Sequence, residues 1–72
     1  MNRDSAEQLM AIYGRVGAGL NEATELVLTF PEPERAAHLR ALGNMMGDLW
    51  IKLQLPIVRE HRELDPDGDA YR

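Results

Sequence analysis

Three glycines fall within YGRVGAGL, Tyr13 to Leu20, a density that suggests a loop cradling a phosphate. Such loops use glycine so that backbone N–H groups can approach the anion, and they follow a strand and open a helix. Here the spacing of Gly14, Gly17 and Gly19 fits neither the dinucleotide nor the nucleotide pattern, and no lysine occurs among the first 51 residues. Asp65-Pro-Asp-Gly-Asp69 offers a second chemistry, because it resembles the first half of an EF-hand calcium loop. That resemblance ends at Ala70, where the loop's turn requires glycine, and the sequence stops at Arg72, before the position of the bidentate glutamate. His38 and His61 are 23 residues apart. On one straight helix that is about 34 Å, too far to share a metal within one chain.

Catalytic groups are equally sparse. Ser5 is the single serine and there is no cysteine. Neither histidine has a nucleophile close to it in sequence, so no enzyme, metal site or cofactor is expected. The net charge is −4, and seven of the eight basic residues are arginine, Lys52 being the exception. An acidic chain without a basic block is poorly suited to a phosphate backbone, so nucleic acid is not an expected partner. No apolar run approaches the ~20 residues that span a bilayer, and MNRDSAEQ lacks the apolar segment of a signal peptide. A soluble, cytoplasmic protein is the expectation.

Glycines must instead be read through the element that holds them. Leu9, Tyr13, Val16, Leu20, Ala23, Val27 and Phe30 recur at alternating spacings of four and three, the seam of an amphipathic helix. Ser5-Ala-Glu-Gln8 reads as its capping box, so helix 1 is expected over about residues 5–29. Phe30-Pro-Glu-Pro-Glu34 ends it, with a turn at 30–33, and its prolines and carboxylates suit the start of the next helix. Helix 2, about 33–64, carries Leu39, Leu42, Met46, Leu49 and Leu53 at the same spacing. Pro56 withholds a donor from the carbonyl of Lys52 and should kink it. Residues 65–72 are expected to form a loose acidic tail.

The chain therefore reads as one domain, 1–72: an all-α antiparallel two-helix hairpin. Seventy-two residues without cysteine build only a marginal core, so the hairpin is expected to dimerise into a four-helix bundle. Leu9, Tyr13, Val16, Leu20, Leu42, Met46, Leu49 and Leu53 are the expected dimer core. On the same helices, Gly19 is expected level with Gly43, and Gly14 near Gly47, allowing close approach within the hairpin or across the dimer.

A second apolar stripe, Ile51, Leu55 and Val58, lies on the other side of helix 2, with Trp50 beside the seam. A lone hairpin cannot cover both, and an exposed stripe of this kind marks an interface. With Met10 and Leu28 on helix 1, these residues are the expected protein-binding surface. Arg59 and Glu63 are expected to pair at i,i+4, and Glu22, Glu25, Glu32 and Glu34 make the turn end acidic. The expected function is a small non-enzymatic regulatory or inhibitory protein that binds and blocks a larger protein, by class analogy with anti-activators and immunity proteins. The alternatives are a Rop-like RNA-binding hairpin dimer, which calls for a basic row where helix 1 has only Arg15, and a structural or chaperone subunit of a larger assembly.

Overall fold

Asn2, extended at φ −73° and ψ 161°, opens the first helix: its Oδ1 accepts the Ser5 N–H at 2.8 Å. Its own carbonyl accepts the Ala6 N–H at 3.0 Å. Asparagine ranks among the strongest N-caps, and this one overrides the Ser5 capping box expected from sequence. The computed structural model describes residues 1–66 and is all-α, with α1 at Arg3–Val27 and α2 at Glu34–Asp48. A π-helical segment, Leu49–Gln54, continues α2 into α3, Leu55–Glu60, and a 3-10 turn, Arg62–Leu64, follows. The residues from 67 onward, with most of the expected acidic tail and of the calcium-like motif, lie outside the described part.

Between the helices, Thr29 N–H donates to Leu26 O and Phe30 N–H to Val27 O, at 3.0 and 2.9 Å, while Thr29 Oγ1 caps Leu26 O at 2.6 Å. These bonds close α1 two residues earlier than expected. The Glu32–Pro33 peptide is cis. Arg35 N–H reaches back to Pro31 O at 3.1 Å, and Arg35 Nε pairs with Glu32 Oε1 at 2.6 Å. The chain then returns along α1. Phe30 and His38 meet edge to face at the turn, with ring centroids 5.8 Å apart.

Helix 1 presents a rotated version of the expected seam. Of the expected seam, Leu9, Tyr13, Leu20, Ala23, Val27 and Phe30 are covered at least in part and Val16 alone is exposed, while Ala6, Met10, Gly17 and Thr24 widen the covered side. A Cβ placed on Gly17 would lie 3.7 Å from Leu49 Cδ2, so the missing side chain lets Leu49 settle against α1. No other described glycine works this way. Around Gly14, Gly19, Gly43 and Gly47 an added Cβ meets nothing within 4 Å, which corrects the expected close approach within the hairpin.

The largest departure surrounds Pro56. A proline ring collides with the carbonyl four residues back and offers it no hydrogen. Here the disturbance takes the form of a π-helical segment just upstream, where Leu55 N–H bonds to Trp50 O, five residues back. Widening the turn by about one residue rotates everything beyond it by about 100°. Ile57 and Val58 are in consequence both buried, at 5% and 6% exposure, and Leu55 is half-buried. The helix breaks at His61 (φ −128°, ψ 80°), short of the expected continuation to residue 64.

That break sends the chain back onto the start of α1. The Met1 ammonium lies 2.9 Å from Glu60 Oε1, His61 Nε2 is 3.1 Å from Met1 O, and Arg3 Nε is 2.9 Å from Glu63 Oε1. Glu63 thus pairs with Arg3 rather than with Arg59, since the break at His61 removes the helical i,i+4 geometry. The ammonium's hydrogen bond and charge, and more weakly His61, hold the Glu60 carboxyl below its ordinary range.

Candidate functional site: an open apolar face

On one side of the hairpin the apolar residues of α1 and α2 diverge and leave a groove of about 360 Å³. Val16 and Leu20 form one wall, and Met45, Leu49 and Leu53 the other. The rotation of α1 towards Gly17 produces this opening. With Gly17 against Leu49, Val16 is turned onto the rim instead of into the core. Ile12, one turn before it, shares that flank. Ile12, Val16, Met45 and Leu53 are left 43%, 44%, 55% and 45% exposed. By contrast, only Ala6, Val27, Leu49, Ile57 and Val58 are buried in the apolar core of the described residues.

Charge touches the groove at one place. Asp48 and Lys52 line it on the α2 side, with Asp48 Oδ1 and Lys52 Nζ 3.5 Å apart and both side chains about two-thirds exposed. A pair so open to water contributes little to the fold. Elsewhere the walls are aliphatic and methionine side chains, which dock apolar surface and supply no proton-transfer group. Among the described residues no group of three or more His, Cys, Asp or Glu side chains is placed to hold a metal.

The expected core and binding residues are redistributed. Leu9, Tyr13, Leu20, Leu42 and Met46 are half-buried and Leu49 is buried, whereas Val16 and Leu53 lie open on the groove. Of the expected protein-binding set, Ile51 and Leu28 are well exposed, and Trp50 stands at the margin of exposure. Val58 belongs to the core, and Met10 and Leu55 are half-buried. The π-helical rotation is the physical reason: it turns the far end of the Ile51–Leu55–Val58 stripe inward, so that no continuous second stripe remains. Sequence spacing missed Met45 and Ile12 as surface residues. Their signal was present, because Met45 lies four residues before Leu49 and Ile12 four before Val16.

The histidines occupy structural positions. His38 packs on Phe30, and His61 faces Met1 O with Glu60 and Glu63 at 3.6 and 3.8 Å. Among the described residues no helix is long and apolar enough to cross a membrane. Compared with protein-family models, with curated proteins and with solved structures, the chain has no match in any of the three.

Proposed function

We propose that this is a small non-enzymatic regulatory protein of the cytoplasm that docks its open apolar face on a larger protein and blocks it. Without that partner, the same face pairs with a second copy and completes a four-helix bundle. The observation that carries this reading is the exposure of Val16, Met45 and Leu53 along an open apolar groove, with Ile12 also exposed one turn before Val16 on α1. Burying an aliphatic side chain is worth about 1.5–3 kcal/mol when fully exposed at the start, so a half-exposed one contributes roughly half of that. Four such residues on each of two copies supply about 6–12 kcal/mol gross. Association costs of about 4–15 kcal/mol consume much of this, which favours an exchangeable dimer over a permanent one. An exchangeable dimer leaves the face available to another protein.

The test is capture from native lysate, with and without ribonuclease, using wild type, Met45→Glu and Leu28→Glu. Met45 belongs to the face, whereas Leu28 is an exposed leucine at the turn. Wild type and Leu28→Glu should retain one protein that ribonuclease does not release, and Met45→Glu should lose it while keeping its helical circular dichroism. Undiminished capture by Met45→Glu would show that docking occurs elsewhere. Capture that depends on RNA would favour the RNA-binding alternative.

A further inference from the structure

We infer that the second copy seats on this face about a two-fold axis that crosses both helices at the level of Val16 and Leu49, so that Asp48 of each copy meets Lys52 of the other. This rests on the self-pairing proposed above and fixes its register. An isologous interface places one patch against itself, so the patch must match its own image under a half-turn.

The face meets that condition in both of its rows. On α1, Ile12, Val16 and Leu20 are spaced four apart, so a half-turn at Val16 sets Ile12 over Leu20 and Val16 over itself. On the other wall, Met45, Leu49 and Leu53 are also spaced four apart, and a half-turn at Leu49 sets Met45 over Leu53. Apolar residues meet apolar residues throughout. Both centres fall at one level, because Val16 and Leu49 line the same groove and Leu49 packs against Gly17, the neighbour of Val16.

The charges fit the same operation. Asp48 and Lys52 are the charged residues that line the groove, they are opposite in sign, and their midpoint lies one residue from Leu49. A half-turn at Leu49 brings Asp48 level with position 50 of the other copy, two residues or about 3 Å from Lys52, which is within the reach of a lysine side chain. A half-turn exchanges the two positions, so the pairing of Asp48 with Lys52 forms twice across the interface. Within one chain they form only an exposed 3.5 Å pair, which leaves both free to find these partners. An axis running along the helices instead would set α1 over α2, so that Asp48 and Lys52 of one copy would not face Lys52 and Asp48 of the other.

Charge reversal with mixing tests the register. Asp48→Lys and Lys52→Asp are each made in the full chain, and dimer dissociation is measured by sedimentation equilibrium alone and in equimolar mixture, with circular dichroism confirming the fold. Each variant alone sets like charges together and should dimerise at least about tenfold more weakly than wild type. In the mixed dimer, the lysine introduced at position 48 of one copy faces the aspartate introduced at position 52 of the other. The unchanged Lys52 of the first copy likewise faces the unchanged Asp48 of the second. Mixing should therefore return dimerisation to within about threefold of wild type, an outcome that contacts inside one chain cannot produce. Wild-type dimers with single reversals that have no effect, or with no rescue on mixing, would overturn this register and leave self-pairing standing. A wild type that stays monomeric would remove the self-pairing reading itself.

Discussion

Converting Gly43 and Gly47 to alanine should stabilise the protein, although spacing alone suggests the reverse. Glycines four apart on one side of a helix can mark a face where another helix comes close, and a methyl group there would be costly. In this hairpin an added Cβ at either position meets nothing within 4 Å. Both lie on the opposite side of α2 from Met45, away from the face proposed to pair, since successive helical residues turn by about 100°. Only the backbone term remains, and alanine is favoured over glycine in a helix interior by about 0.8–1.0 kcal/mol. With no shared side-chain partner, the two changes should add to about 1.6–2.0 kcal/mol. For a domain of this size each kcal/mol moves Tm by about 4–8 °C, so the double variant should melt about 6–16 °C above wild type. The assay is thermal unfolding followed by circular dichroism at one fixed protein concentration, because a dimer's Tm depends on concentration. A lower Tm, together with weaker dimerisation, would show that the glycine side is the interface and that the apolar face has been misassigned.

Three further outcomes follow from the packing. Pro56→Ala restores a donor for the Lys52 carbonyl and removes the ring, so residues 49–54 should revert to the α pattern, read by NMR as i,i+4 rather than i,i+5 amide contacts; an unchanged pattern would mean that burial of Ile57 and Val58 alone sets the π register. Glu60 is held below its ordinary range by the Met1 ammonium, so its contribution should be complete above the usual carboxylate range and lost as pH falls through the lowered value. Glu60→Gln should therefore be less stable than wild type at neutral pH and equal to it in strong acid, and a gap that widens in acid would reverse the assignment. Ala6 is wholly buried, so Ala6→Leu should cost about 1–3 kcal/mol by overpacking, measured by urea unfolding.

Helical class, the proline turn and the covered positions Tyr13, Leu20 and Val27 were legible in the sequence because each follows from local chemistry. Spacing of four and three defines an apolar stripe but not which line through it meets a neighbour. Val16 and Gly17 compete for that role, and contact with Leu49 decides for Gly17, leaving Val16 exposed while Leu9 and Ala23 stay partly covered. Likewise Ser5 and Asn2 are both good caps, and the helix takes the earlier one. Pro56 announced a disturbance. That the disturbance takes a π form, with Val58 turned into the core, is a matter of hydrogen-bond register that residue spacing does not specify. The pairing of Arg3 with Glu63 joins opposite ends of the described chain and had no sequence signal at all.

When no other protein covers it, the face of Ile12, Val16, Met45 and Leu53 is proposed to pair with a second copy. Sedimentation equilibrium over a wide concentration range, on wild type and Val16→Glu, measures this most directly. The expected result is a reversible dimer of twice the chain mass for wild type and a folded monomer for Val16→Glu. A wild-type chain that remains monomeric at every concentration, or a Val16→Glu variant that dimerises as well as wild type, would contradict it.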